Sequence, residues 1–281
     1  MIFYRNSAGK EVHFDEPPFS VDITELAGFN LAYNANAYTN RYGGSISKYT
    51  IGIIERNIVV GICAKKEKME HALDELLAIT QYDVQKSVPG RFYVGDTYIL
   101  CNIAGSAMRT FFDPDIEFAE KTYRLVISYP YWCREITSEY LPSDREVLYA
   151  EHLDYPYDIP YEYLYDGNAG RLLENNHFAD SDFKMTIYGP VSSPRVTISG
   201  HIYEVNADLY ESEYIIIDSR MSQVYKTTRS GEQINLFNYR NKKYDLFKRI
   251  PVGSNTIVFE QNFGFSITLF QERSELGWNI S

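Results

Sequence analysis

Helical periodicity is confined to one segment of this sequence, and that restriction is the strongest constraint on the fold. Residues 66–81 contain neither Gly nor Pro, so nothing in the segment interrupts a helix. Its spacing places five side chains on one face: Met69, Leu73, Leu76, Leu77 and Thr80. Such a stripe predicts an amphipathic helix that packs on a sheet. The remainder of the chain is then expected to fold chiefly as strands.

Short runs rich in aromatic and β-branched residues dominate that remainder. The chain has 25 Tyr and 16 Phe but only 2 Trp, and flat rings favour strands because they pack well on a pleated surface. Gly, Pro and Asn separate the runs. Six runs lie in the second half, at 184–188, 195–205, 214–218, 224–228, 255–260 and 265–270. The sequence therefore predicts a mainly β protein whose second half is an antiparallel sandwich.

The regular pattern is interrupted at residues 134–182, which contain several Pro, Gly and Asn turn signals. With 281 residues, the chain is long enough for two domains of ordinary size. We expect the connection between them within residues 134–145. The resulting domains are an N-terminal one over 1–135, which contains the helix, and a second one over 136–281.

A polar stretch at residues 34–47 contains Gly43-Gly44 and lies between segments that can form strands. Gly-Gly in this setting is a hairpin signal, because glycine tolerates the positive φ angles of tight turns. Since the tip is polar, we expect the hairpin to project from its domain. Arg41, Tyr42, Gly43 and Gly44 are candidate contact residues at that tip.

The most unusual stretch is residues 155–165, where Tyr alternates with Pro and acidic residues. One interpretation is an aromatic surface that binds a sugar or a partner protein. The preferred one is an extended arm whose rings cover one side of the second domain, limited by its prolines to an edge or irregular strand. Tyr155, Tyr157, Tyr161 and Tyr163 are further candidates for an oligomer or partner interface.

Charge and hydropathy exclude two classes of partner. The formal net charge is −11, whereas nucleic-acid binders carry a basic footprint. The nearest basic cluster, Arg240-Asn241-Lys242-Lys243, is interpreted as a solvated turn. No apolar run approaches the ~18 residues that span a bilayer, and the start of the chain does not resemble a signal peptide. We expect no nucleic-acid or membrane partner, and synthesis in a cytoplasm.

Motifs of catalysis and metal binding are missing. The sequence has no GxSxG, P-loop, GxGxxG or HExxH, and its five His share no metal-ligand spacing. Cys63, Cys101 and Cys133 form no CxxC pair, which argues against a zinc site or a disulfide framework. Cys63 and Cys101 are expected to be buried. We expect no enzymatic activity, no cofactor and no metal.

A series of short motifs runs in a fixed order along nearly the whole chain. The first half has Arg41-Tyr42-Gly43-Gly44, the helical segment at 66–81, and Pro89-Gly90-Arg91-Phe92-Tyr93-Val94-Gly95-Asp96 before Cys101. The second half has the Tyr-Pro-Tyr-Asp run, Tyr188-Gly189-Pro190, the segments at 194–203, 213–220 and 253–257, and Glu272-Arg273-Ser274-Glu275 before Trp278. Together these motifs resemble the distal tail protein family of phages that infect Gram-positive bacteria.

The resemblance implies an N-terminal ring-forming domain with a projecting hairpin and a C-terminal galectin-like β-sandwich. It further implies six copies in a ring at the virion tail tip, between the tail-tube protein and the tail-associated tip protein, with receptor-binding protein attached outside. The sequence departs from galectins in lacking their sugar-binding signature of His, Asn, Pro and Arg in close order. The fold would therefore not bring a galectin sugar site.

Other readings stay open at this point. A carbohydrate-binding module or adhesin for host cell-wall glycans is the main alternative, supported by the aromatic run and the sandwich. A cell-wall hydrolase lacks any supporting motif. A phage-tail-like bacteriocin would keep the same fold in another setting.

Overall fold

The structure is a computed structural model that describes residues 1–113, 117–142, 171–260 and 262–277. Within these ranges the chain is mainly β with one α-helix, which confirms the predicted fold class. The described residues form two compact units. The first contains Met1–Arg134 and the described part of Glu272–Ser281, and the second contains Glu135–Gln271. No described helix is both long and apolar enough to cross a membrane.

The first unit is built on an antiparallel sheet. Its elements are β1 (Ile2–Arg5), β2 (Glu11–His13), β3 (Phe19–Asp22), a 3-10 turn (Thr24–Leu26), β4 (Ala32–Ala37), β5 (Gly44–Thr50), β6 (Ile54–Cys63), α1 (Lys66–Lys86), β7 (Gly90–Val94), β8 (Thr97–Asp113) and β9 (Phe118–Tyr140). The strands pair in the order β2-β1-β7-β8-β9-β6-β3. β4 and β5 form a separate pair.

The helix packs on this sheet through one face, as predicted, but its limits and its stripe differ in detail. It continues to Lys86 and ends at Ser87, whose φ of 54° is left-handed. Met69, Leu76 and Thr80 are buried. Leu77 is 45% exposed, so its place in the apolar face was predicted wrongly. It lies one residue, and therefore about 100°, around the helix from Leu76, beyond the edge of the buried stripe.

A buried carboxylate ties α1 to β1. Asp83 is fully buried and accepts hydrogen bonds from the Tyr4 hydroxyl at 2.5 Å and from the hydroxyl and backbone N–H of Ser7 at 2.6 and 2.8 Å. Burial, together with the hydrogen bond to Asp83, holds the pKa of Tyr4 far above its usual range. Gly90 leaves room for this pair, because a Cβ there would lie 2.2 Å from the Tyr4 oxygen.

The second unit contains two larger antiparallel sheets around one core and a separate antiparallel pair of strands. Its elements are β10 (Arg171–Asn175), β11 (Asp182–Tyr188), β12 (Val191–Ser192), β13 (Arg195–Ile198), β14 (His201–Glu204), β15 (Asp208–Leu209), β16 (Tyr214–Asp218), β17 (Gln223–Thr227), β18 (Gln233–Asn235), a 3-10 turn (Phe237–Tyr239), β19 (Gly253–Phe259) and β20 (Phe265–Arg273). One sheet has the order β18-β17-β16-β11-β20 and the other β10-β19-β13-β14, and the separate pair is β12 with β15. Alternating side chains of both sheets fill the core, among them Met185, Ile217, Ile267, Val196 and Ile257.

Three further expectations need correction. Residues 135–140 continue strand β9, where the sequence suggested an irregular connection. The run 195–205 is not one strand but the pair β13 and β14, because Ser199 and Gly200 turn the chain with φ of 46° and 78°. Cys63 is exposed, although Cys101 is buried. It follows the inward-facing Ile62 in a strand, so its side chain points to the opposite face.

Candidate interaction surface

The predicted hairpin is present and consists of β4 and β5 joined through residues 38–43. Ala37 is paired with Gly44 nearest the turn, and Ala32 with Thr50 at the base. Gly43 has a φ of 94°, a backbone conformation that residues with a side chain rarely adopt. A Cβ on Gly44 would lie 2.6 Å from the carbonyl oxygen of Asn36. The two glycines therefore serve different needs, since one makes the turn and the other allows the close strand approach.

Every residue from 32 to 50 is exposed. We call this segment, β4 to β5 with its turn, the arm. Its backbone hydrogen bonds are formed between its own two strands, and none of its side chains is buried in the first unit. A two-stranded hairpin alone is marginally stable in water. The arm therefore has an exposed surface that a partner could cover.

Aromatic side chains are distributed along the arm. At the tip the Arg41 guanidinium lies 3.9 Å from the centre of the Tyr38 ring, and Tyr42 is 105% exposed. Nearer the base, the Tyr33 and Tyr49 rings lie 6.4 Å apart across the two strands. Exposed Tyr and Arg are the residue types that most often anchor protein interfaces.

The arm differs in charge from the rest of the chain. Residues 26–54 contain Arg41 and Lys48 but no Asp or Glu, in a protein with a net charge of −11. The arm is therefore a basic projection from an acidic protein. The lack of Asp and Glu in residues 26–54 is visible in the sequence, but the predicted contact residues were confined to the polar tip. Tyr33 and Tyr49 belong to the same surface and were not among them.

The candidate residues of the sequence analysis fall into two groups. Arg41, Tyr42, Gly43 and Gly44 lie together at the tip of the arm. Tyr155, Tyr157, Tyr161 and Tyr163 lie outside the described residues. Among the residues that the structure describes, no group of three or more His, Cys, Asp or Glu side chains could hold a metal ion.

Comparison with known proteins identifies the architecture. No protein-family model matches the sequence, and no curated protein matches it. Among solved structures, the Dit protein of phage SPP1, described as a paradigm of the hub adsorption apparatus in phages that infect Gram-positive bacteria, matches with a TM-score of 0.60. The identity is 8%, over 97% of this chain and 99% of that one. The chain has the fold of a phage distal tail protein.

Chains of two baseplate structures also match. A chain of the phage P2 baseplate, in its activated conformation with Ca, matches with a TM-score of 0.63 and 10% identity, over 98% of this chain and 100% of that one. A chain of the phage p2 baseplate with Sr matches with a TM-score of 0.63 and 11% identity, over 98% of both chains. Because the matches span nearly the full length, the distal tail fold includes both units.

Proposed function

We propose that the protein is a structural hub of a phage tail tip. Six copies form a ring that joins the tail-tube protein to the tail-associated tip protein and to receptor-binding protein. The protein is made in the cytoplasm of the bacterial host, works in the virion tail and performs no catalysis. The observation that carries this proposal is the match over 97% of the chain to a phage hub protein, supported by the matches to baseplate chains.

The arm supports self-assembly. It is exposed over residues 32–50 and carries ring side chains that would lose water on binding a neighbour. In a closed ring each copy uses the same two surfaces, one of which binds the neighbour on one side while the other is bound by the neighbour on the opposite side. We propose that the arm is the surface that binds the next copy. Its tip contains Arg41, Tyr42, Gly43 and Gly44. Tyr155, Tyr157, Tyr161 and Tyr163 remain candidates for the ring or for a partner interface.

Charge favours contact of the arm with the body of a neighbouring copy. The arm is basic, whereas the chain as a whole has a net charge of −11. An arm that reaches an acidic neighbouring copy gains from charge complementarity, whereas contact between two acidic surfaces is unfavourable. The same charges favour encounters in which the arm leads.

Imaging and native mass measurement of the purified full-length protein test the ring. We expect hollow six-fold particles of 195.6 kDa, which is six times 32.6 kDa. Concentration should be varied, because ring formation can require either high concentration or the tail as a template. A dimer as the sole assembly over the whole range, or the absence of the protein from tails, would contradict the proposal.

Glycan binding is the alternative function to be tested in parallel. A monomer that binds cell-wall glycans on an array and never assembles would favour a carbohydrate-binding module. A stable ring that binds no glycan would favour the hub.

A further inference from the structure

We infer that residues 237–250, which we call the edge loop, form a docking surface for an acidic segment of a second tail-tip protein. The inference rests on the proposed function and extends it to a specific surface of the second unit. The edge loop runs beside β14, the outermost strand of its sheet.

The edge loop has a fixed backbone. The backbone N–H of Asn241 donates to the Glu204 carbonyl at 3.1 Å, and the Tyr203 hydroxyl donates to the Lys248 carbonyl at 2.8 Å. Leu246 belongs to the buried core of the unit. These contacts hold the loop by its backbone and its inward side chains. Of its basic side chains, Arg249 is paired with Asp182 at 2.9 Å, whereas Lys242, Lys243 and Lys248 are exposed.

Further bonds complete this support. The Asn241 amide donates to the Glu204 carboxylate at 2.7 Å, and the His201 ring nitrogen lies 2.8 Å from the Asp245 carbonyl oxygen. Ile250 exchanges two backbone hydrogen bonds of 2.9 Å with Ser181. A binding surface held in advance loses little conformational entropy when a partner arrives.

The outward side chains of the edge loop are basic and aromatic. The loop contains five basic residues and one acidic residue, Asp245, in a chain of net charge −11. Lys242, Lys243 and Lys248 are exposed and form no ion pair with a described residue. The cluster at 240–243 lies in a solvent-exposed turn, as predicted, and Lys248 adds a further exposed cation to the same loop.

Rings lie among these cations. Tyr239 is 54% and Tyr244 39% exposed, and the Arg240 guanidinium lies 3.8 Å from the centre of the Phe237 ring. Aromatic residues and Arg are enriched in protein interfaces. A phosphate polymer would need only the cations, whereas a polypeptide with acidic and apolar side chains would also cover the rings. The combination therefore favours an acidic protein segment.

Carbodiimide cross-linking of isolated tail particles tests this inference, because the reagent joins Lys amines directly to carboxylates. We expect Lys242, Lys243 or Lys248 to be linked to Asp or Glu of a different tail protein. If the protein is present in the particles and these lysines form no link to another protein, the inference fails while the proposed hub function stands. If the protein is missing from the particles, the hub function itself fails.

Charge reversal provides the second part of the experiment. Particles that carry Lys242→Glu, Lys243→Glu and Lys248→Glu should keep this protein. They should contain at least about tenfold less of the protein to which it was cross-linked, since like charges that face each other repel. The matched control reverses three exposed basic residues elsewhere: Lys10, Lys68 and Arg229. The inference would be overturned if the first variant kept its partner content or if both variants lost it equally. It would also be overturned if the first variant kept all tail proteins and lost only the ability to bind added polyphosphate.

Discussion

At the scale of single residues, the first unit depends on the space that Gly90 leaves for the Tyr4–Asp83 pair. A methyl group there would lie 2.2 Å from the Tyr4 oxygen and 2.4 Å from an Asp83 oxygen. Gly90→Ala should therefore lower the free energy of unfolding by about 1–3 kcal/mol, the usual cost of overpacking. Urea unfolding measures the change. Gly52→Ala is the matched control, since its added Cβ meets nothing within 4 Å, and equal losses in both variants would contradict this explanation.

The tip of the arm provides the second residue-scale prediction. Arg41→Ala combined with Tyr42→Ala should weaken ring formation by more than a few fold, because interface energy is concentrated in a few such anchors. Mass photometry over a dilution series gives the effect. Arg195→Ala with Tyr188→Ala, an exposed Arg and Tyr of the second unit, is the control. If the tip variant assembles as well as this control, the tip does not belong to the interface.

Residue-level burial was only partly predictable from the sequence. Met69, Leu76 and Thr80 were assigned correctly to the buried face of the helix, but Leu77 was not. Periodicity defines the centre of a stripe, whereas its edge depends on how far the opposing sheet extends. Cys63 was misplaced for a related reason, because an apolar run does not reveal which strand face looks inward. The Asp83 contacts join residues 76 and 79 positions apart, and no local pattern encodes such a pairing.

At the scale of elements, the arm is separate from the core. Deletion of residues 40–45 should leave the melting temperature nearly unchanged, because all of these residues are exposed. The same deletion should abolish assembly, since it removes the tip and shortens β5. Differential scanning fluorimetry and native mass measurement report the two properties separately. A deletion variant that unfolds would show that the arm supports the first unit, and one that still forms rings would remove the arm from the interface.

Elements were predicted best where local chemistry decides them. Gly43-Gly44 identified the hairpin, and the Gly- and Pro-free stripe identified α1, although the helix extends to Lys86. The break between β13 and β14 was missed although Ser199-Gly200 is a turn signal, because the apolar alternation typical of a strand continues on both sides of it. The Tyr residues of 155–163 were chosen from composition and lie outside the described residues, so their role stays a prediction.

At the scale of the whole molecule, we expect the contrast between a basic arm and an acidic chain to make the proposed ring formation sensitive to salt. Raising NaCl from about 0.1 to 1 M shortens the screening length from about 10 to 3 Å. The concentration needed for ring formation should therefore rise. The variant with Arg41→Gln and Lys48→Gln should assemble more weakly at low salt and respond less to added NaCl. Identical salt responses in the two proteins would show that charge plays no part in the contact.

Because the arm is exposed, its cleavage by a protease should distinguish free protein from protein in a ring. Proteases cut extended, accessible backbone far more readily than paired and covered backbone, and the arm offers trypsin the bonds after Arg41 and Lys48. Free protein should thus be nicked within the arm at an early stage, while protein in rings should resist. A time course read by mass spectrometry would follow assembly without any label. Equal cleavage of free and assembled protein would mean that the arm remains open to solvent after the ring has closed.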